Sequence, residues 1–333
     1  FLGRGQKPPA SAWLGGIATS EYSQQDVLCG LQLKPSDMRW LTKMPQNPEQ
    51  TDLVLFLGCY PYQHPDKIMA SLDILEKLNL NFVALAGGPI CCGFKHWFSG
   101  DFEKADAASQ ELVRALKAFK PKKVIFWCGT CHYIFKEEIP RIASLPFEIQ
   151  HLSQLLCENL SEFEFTRTIR KTITIHDSCN LGHKAGDYTS MRKLLSSIPG
   201  VELAEMPHNR QNAICCGAGA VNHYPEIARQ LRINRLEEAK NTGADIMAAS
   251  CTGCHLLFAL NEDEYPVEVK NYITVFAEAL GLHHEDRLKK YLNLQDVDAI
   301  MESAQEYIDE SPIPRDQTRN IVSRFFNRLW TMK

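Results

Sequence analysis

The chain has 333 residues, is 44% hydrophobic and carries 36 Lys plus Arg against 40 Asp plus Glu, a formal net charge of −4. That length suggests about two domains, each able to bury its own core. The ordinary apolar fraction argues against disorder, and the absence of a basic excess argues against a nucleic-acid binder held by phosphate contacts. Residues 1–50, with Pro8-Pro9, Trp13, Gly15-Gly16 and Trp40, read as an N-terminal arm. The apolar run 53–57 predicts a strand that ends at Gly58-Cys59, and 65–78 has helical spacing through Ile68, Leu72 and Leu75. A second strand over 82–86 breaks at Gly87-Gly88-Pro89, just before Cys91-Cys92. Phe102, Ala105, Ala108, Leu112, Leu116 and Phe119 predict an amphipathic helix, and the strand 124–127 runs directly into Cys128.

The same order then recurs. A strand over 173–175 leads to His176-Asp177-Ser178-Cys179, followed by a helix around 191–195 and a strand over 201–204. The Cys215-Cys216 loop, a long helix through Ile227, Leu231 and Leu236, and a strand over 246–249 leading to Cys251 complete the second half. The tail predicts a helix over 296–308, a break at Pro312-Ile313-Pro314, and a last helix with Ile321, Val322, Phe325, Phe326, Leu329 and Trp330 on one face. Arg315, Arg319, Arg324 and Arg328 surround that face, so this helix suits either its own domain or a partner or membrane surface, reached peripherally. The longest apolar runs fall far short of the ~20 residues that cross a bilayer, and no secretory signal is visible. The expectation is a soluble, cytoplasmic chain with reduced thiols.

The chain has 12 Cys, and it is too long and too apolar to need a disulfide framework. Cys29 and Cys157 stand alone, and Cys157, among Leu155, Leu156 and Leu160, reads as a small buried hydrophobe. The other ten form two sets: Cys59, Cys91, Cys92, Cys128 and Cys131, then Cys179, Cys215, Cys216, Cys251 and Cys254. Matching members are offset by 120 to 124 residues (179−59 = 120, 215−91 = 124, 251−128 = 123). The flanks repeat too, as Cys-Cys-Gly and as Cys-x-x-Cys-His. This is an internal duplication of domain size. Alternating strands and helices imply α/β domains with parallel sheets flanked by helices. All three cysteine groups of each set fall at the carboxyl ends of strands, where such sheets carry their sites.

Structural zinc takes four ligands, so each set has one cysteine too many. Adjacent cysteines suit a cluster with several irons better than one small ion, and Gly93 and Gly217 would let the backbone pass close to it. The tightly spaced cysteine run of ordinary cubane sites is missing. Spacing therefore favours iron–sulfur over zinc without defining the cluster.

These residues resemble the CCG-domain (cysteine-rich domain) iron–sulfur proteins, the family of the cysteine-rich subunit of heterodisulfide reductase. Its motif is one Cys, a gap of thirty-odd residues, Cys-Cys-Gly, a similar gap, then Cys-x-x-Cys. Here the gaps are 31 and 35 residues in the first copy and 35 and 34 in the second. The resemblance covers about 52–281 and both copies are complete. It implies two tandem pseudo-symmetric domains, with boundaries expected at 51–165 and 166–284, a helical tail over 285–333, and cysteine loops that face each other. It further implies that Cys59, Cys91, Cys92, Cys128 and Cys131 hold one noncubane 4Fe-4S cluster, and Cys179, Cys215, Cys216, Cys251 and Cys254 a second. By the same resemblance the two clusters would split a disulfide such as CoM-S-S-CoB between them. Electrons would come from iron–sulfur or flavoprotein partner subunits. Two other readings stay open: an electron relay beside quinone, flavoprotein or lactate/glycolate oxidoreductases, and a zinc-stabilised scaffold without catalysis.

Smaller signals carry alternatives of their own. The two Cys-x-x-Cys-His strings also fit c-type haem attachment, but that reading leaves Cys-Cys-Gly unexplained. His176-Asp177 reads either as a proton relay or as a core histidine beside an acid. Lys95, His96, His183, Lys184, His208 and Arg210 lie near the cysteine loops and read either as a cationic surface for an anionic substrate or as a solvated face.

Overall fold

The computed structural model describes residues 22–87 and 90–333. The readings placed on Pro8-Pro9, Trp13, Gly15-Gly16 and Gly88-Pro89 lie outside the described residues. Two four-stranded sheets form the frame. The first contains β1 (Leu53–Gly58), β2 (Phe82–Ala86), β3 (Lys123–Phe126) and β4 (Glu148–His151), in the order β2-β1-β3-β4. The second contains β5 (Lys171–His176), β6 (Val201–Leu203), β7 (Ile246–Ala249) and β8 (Glu268–Asn271), in the order β6-β5-β7-β8. Every strand pair is parallel. The tandem α/β architecture expected from the duplication is therefore present.

Three strands per half are legible as apolar runs, and the structure adds a fourth to each. β4 and β8 are sheet edges of four residues, rich in Glu, Gln, Lys and Asn. An edge strand tolerates polar side chains and carries no continuous apolar signal.

Alternation along the strands explains how the halves join. Leu53, Leu55 and Leu57 of β1 share one apolar core with Ile173 and Ile175 of β5 and with Ile246 and Ala248 of β7. Helices Pro65–Glu76 and Tyr272–Ala279 fill that layer with Ile68, Leu72, Ile273 and Phe276. The opposite faces look outward. Val54, Phe56 and Phe126 enter a second core, and Met247 and Ala249 a third.

The long helix Pro225–Asn241 corrects its sequence reading. Its buried face is Ala228, Arg232, Arg235, Leu236 and Ala239, while Ile227 is 56% exposed. Arginines look like surface residues in a pattern, yet these two are buried because their guanidinium groups have partners. Arg232 donates to Asn261 Oδ1 at 2.8 Å, and Arg235 to Glu238 Oε2 at 2.6 Å.

Arm and tail wrap both halves. Helix Gln24–Gly30, capped by Ser23 and Asp26, buries Val27 and Leu28 in the core of the second half. Leu41 then pairs with Leu85 on the outer edge of β2. The expected tail helix over 296–308 divides at Ala304 into Val297–Ser303 and Gln305–Glu310. The last helix, Arg315–Trp330, buries Val322, Phe325, Phe326 and Leu329 in the same core. Its apolar face is thus occupied by its own domain, which corrects the peripheral membrane reading of this helix. Among the described residues no helix is long and apolar enough to cross a membrane.

Candidate metal centres

The sheets deliver all ten paired cysteines to the carboxyl ends of their strands. β1 ends one residue before Cys59, β2 runs toward Cys91-Cys92, and β3 ends two residues before Cys128. In the sheet order β2-β1-β3-β4 the chain leaves β1 to both sides, so the loops after β1 and β3 flank the crevice where such sheets bind ligands. β5, β6 and β7 repeat the arrangement for the second set.

Within each set the sulfurs meet in the same order. Cys59 contacts Cys91, Cys91 contacts Cys92, Cys92 and Cys131 stand 3.4 Å apart, and Cys131 contacts Cys128. In the second half Cys179 contacts Cys215, Cys215 contacts Cys216, Cys216 and Cys254 stand 3.1 Å apart, and Cys254 contacts Cys251. These separations are far longer than the roughly 2.05 Å of a disulfide, and all twelve thiols are free.

Proton sharing inside the sets is uneven. A hydrogen bond from Cys131 lowers Cys92 to about 6. Cys251 falls to about 7 through Cys254 and through the backbone amides of Cys254 and Gly253 at a helix N-terminus. Cys128 is lowered in the same way, by Cys131 and nearby amides, and Cys215 is held far below its ordinary range by Cys179 and Cys216. Cys131, Cys179, Cys216 and Cys254 move up, because they donate to those thiolates and are buried, and Cys59 moves up through its hydrogen bond to Cys91, itself pushed up to about 12 by Cys92 and burial although Cys59 pulls it down. Five soft sulfur donors at one point, several held toward the thiolate, fit a thiolate-ligated cluster. A tetrahedral zinc site would leave one of them over.

The Cys-Cys-Gly glycines have a nearer cause than a cluster. Gly93 and Gly217 have φ of +80° and +86°, and an added Cβ would lie 2.4 Å from Ala105 O and 2.6 Å from Ala228 O. Each glycine lets the helix that holds that alanine, Phe102–Ala118 or Pro225–Asn241, pack directly on the cysteine loop. Gly217→Ala should therefore disturb the second set alone, costing roughly 1–3 kcal/mol. Thermal denaturation should show a lowered melting temperature; a variant with an unchanged one would refute this account.

The two halves close over one another with residues that the cysteine pattern did not mark. Asn180 Nδ2 donates to Thr130 Oγ1 at 2.6 Å, and Leu181 sits so close that a Cβ on Gly129 would meet its Cβ at 2.9 Å. On the other side a Cβ on Gly253 would meet the Tyr60 ring at 3.9 Å. The available signal was position: Tyr60 and Asn180 each directly follow the first cysteine of a set. Cys128 and Cys251 lie within electrostatic reach of each other across this junction.

Other candidates separate. His132 lies beside Phe126 and His151, while His255 faces Asp286 at 3.4 Å. Each Cys-x-x-Cys pair is one part of a five-thiol set, an arrangement the haem reading does not account for. The relay reading of His176-Asp177 is corrected: Asp177 is clamped by Arg192 at 2.7 and 2.8 Å and by the Arg210 amide, whereas His176 bonds to Arg235. Asp177 lies just past the end of β5, and the two residues serve different networks. Four of the six cationic residues have partners of their own. His208 pairs with Glu238, Arg210 with Glu205, His183 with the Tyr188 ring, and Lys184 lies over the Tyr133 ring. Lys95 and His96 sit on helix Phe94–Phe98, and Lys95 acts electrostatically on Cys59. Cys29 is fully buried in the shared core, and Cys157 donates to Ser190 O at 3.1 Å.

Comparison with known proteins bears on this geometry. The CCG cysteine-rich domain family matches residues 53–136 and 173–259, the two halves just described. A component of the dihydromethanophenazine:CoB--CoM heterodisulfide reductase from Methanosarcina barkeri is 32% identical over 257 residues, covering 74% of this chain and 63% of that protein. The chain thus spans less than two thirds of that relative. Lactate utilization protein A 1 from Bacillus mycoides is 24% identical over 247 residues, covering 67% of this chain and 96% of that protein. Among solved structures, a hypothetical protein from Helicobacter pylori aligns over 83% of this chain and 58% of its own, with a TM-score of 0.54 and 13% identity. That likeness concerns the fold alone.

Proposed function

The chain belongs to the CCG cysteine-rich domain family, and on that premise we propose that it is an electron-transferring iron–sulfur oxidoreductase subunit that reduces a disulfide. The observation that carries the reading is the pair of five-thiol sets, each gathered at strand ends and brought face to face. Cys59, Cys91, Cys92, Cys128 and Cys131 would hold one noncubane 4Fe-4S cluster, and Cys179, Cys215, Cys216, Cys251 and Cys254 the other. Bound there, the clusters would supply electrons one at a time.

The chain's own residues do the rest. Cys92, Cys131, Cys216 and Cys254 are at most 4% exposed, so the inner sulfurs are kept from water. Tyr60, Asn180 and Leu181 close the junction between the sets. Cys179 and Cys215 remain exposed, which leaves the second set open to a small molecule. Reducing one disulfide to two thiols takes two electrons and two protons, and partner subunits carrying flavin or further iron–sulfur centres would deliver the electrons. The likeness to a heterodisulfide reductase component supports a disulfide such as CoM-S-S-CoB as substrate.

A second reading keeps the clusters and drops the disulfide. The match to a lactate utilization protein over 96% of its length favours it, since this chain would then pass electrons only. One experiment separates the two. Protein purified without oxygen should contain iron and sulfide in the amounts two four-iron centres need, and after reduction it should be reoxidised by a heterodisulfide, releasing two thiols. Reoxidation by quinone or flavoprotein but never by disulfide would establish the relay. Zinc in place of iron would overturn both.

A further inference from the structure

The two sets are not equivalent, and the difference lies behind the second one. His176 ends β5 three residues before Cys179 and is 1% exposed. A ring nitrogen of His176 and the sulfurs of Cys216 and Cys254 lie within 4.8 Å of one another. Arg235 Nε–H donates to His176 Nδ1 at 3.2 Å. A guanidinium has donors only, so Nδ1 must be the accepting nitrogen, and the proton of the neutral ring sits on Nε2. That Nε2 is buried and has no hydrogen-bond partner among the described residues. A buried donor left without an acceptor is costly, so its acceptor is to be sought in the sulfur site beside it.

The first half supplies the control. Phe56 pairs with Phe126 in its sheet as His176 pairs with Ala249 in the other, and Phe126 and Ala249 each stand two residues before a Cys-x-x-Cys. Phe56 therefore occupies the place of His176. The helices align as well, because Gly93 packs on Ala105 O and Gly217 on Ala228 O. Counting seven residues on from each reaches Leu112 (105 + 7) and Arg235 (228 + 7). An apolar pair, Phe56 and Leu112, thus stands behind the first set, and a buried polar pair, His176 and Arg235, behind the second. Arg235 is fixed in turn by Glu238 and by the carbonyls of His208 and Ile175. Burying such a pair costs desolvation that Phe and Leu avoid.

We propose that His176 donates its Nε2–H to sulfur of the centre held by the second set and raises that centre's reduction potential above that of the first. The inference rests on the reading that both sets hold iron–sulfur centres. A hydrogen bond to sulfur stabilises the more negative, reduced state, and this is one of the means by which a protein sets the potential of such a centre. Phe56 offers the first set no donor. Electrons therefore settle on the second set, whose Cys179 and Cys215 are the exposed thiols, rather than on the first.

The test uses the full chain purified without oxygen, with electron paramagnetic resonance followed during a redox titration. His176→Phe, which copies the first half, should shift one signal toward the oxidised form by at least tenfold at fixed potential, about 59 mV for one electron. The other signal should stay within twofold and the iron content should not change. His176→Gln, which keeps an N–H donor, should restore most of the shift. In the wild type the shifted signal should also carry a coupling to an exchangeable proton. Iron-replete variants with both potentials unmoved, or a wild-type signal without that proton coupling, would overturn the inference and leave the clusters standing. Strong nitrogen coupling lost together with iron in His176→Phe would make the residue a ligand and overturn it too. A wild-type chain without iron would overturn the cluster reading itself and this inference with it.

Discussion

Cys216→Ala should abolish one of two paramagnetic signals and remove about half of the bound iron, and Cys92→Ala should do the same to the other signal. Each residue is the second cysteine of its Cys-Cys-Gly and is nearly inaccessible, at 2% and 4% exposure. Each also sits in the middle of its chain of sulfurs, Cys216 between Cys215 and Cys254, and Cys92 between Cys91 and Cys131. Alanine therefore removes a donor from the centre of the set and leaves an apolar gap that no neighbouring side chain can fill with sulfur. The two substitutions test independence as well as ligation. The sets belong to different sheets, so a loss at one should leave the other's spectrum intact. Identical spectra in wild type and both variants would remove the ten-cysteine assignment. Loss of both signals in either variant would mean one joint centre instead of two.

Lys67→Met should destabilise the fold by about 3–5 kcal/mol, read from the shift in urea midpoint. Lys67 is fully buried on helix Pro65–Glu76 and binds Asp66 at 2.9 Å and Asp286 at 2.8 Å. Asp286 caps helix Arg287–Leu294 of the tail and also faces His255, the residue after Cys254. One ammonium thus joins the first half, the tail and the edge of the second cysteine set. Removing it leaves two carboxylates in the interior without a cation, which is why the expected loss far exceeds that of a surface ion pair. An unchanged midpoint would show that the carboxylates find water or simply take up protons.

The same cluster predicts a pH dependence of defined sign. Burial pushes Asp66 up from 3.8 to about 7, against the pull of Lys67. Between those values the folded chain keeps a proton that the unfolded chain has released, so stability falls as pH rises toward 7. Asp286 acts in the opposite sense. Its carboxyl is held below its ordinary range, although burial opposes this, chiefly by Lys67. It contributes stability that is complete above 3.8 and is lost as pH falls further. Asp66→Asn, neutral and of equal size, should flatten the slope below pH 7. A slope equal to that of the wild type would assign it to another group.

Much of this molecule is legible in its residues before any coordinate is known. The runs beginning at Leu53, Phe82, Val124, Ile173, Val201 and Ile246 predicted six strands, most clearly β1, β3 and β7, which are buried on both faces and so read as continuous apolar sequence. β4 and β8 escaped because each is a four-residue sheet edge with three polar residues around a single apolar one, Ile149 or Val269, and leaves no such trace. The buried face of helix Pro225–Asn241 was misread because Arg232 and Arg235 look like surface residues until their partners are known. Asn261 lies 29 residues from Arg232, and His176 lies 59 residues from Arg235.

The cysteine positions alone determined the duplication, the two sets of five and the bystander standing of Cys29 and Cys157. That information survives in one dimension because parallel sheets send every strand's carboxyl end to the same side, so residues at strand ends must converge. Only the tertiary structure decided how the halves meet. Leu181 against Gly129, Tyr60 above Gly253, and Lys67 bonded to Asp286 across 219 residues have no local pattern to announce them. It also decided that the halves differ, with His176 and Arg235 behind one set and Phe56 and Leu112 behind the other. Repetition records what the halves share. What sets them apart depends on contacts between distant segments, and those are fixed by packing and by the need of each buried polar group for a partner.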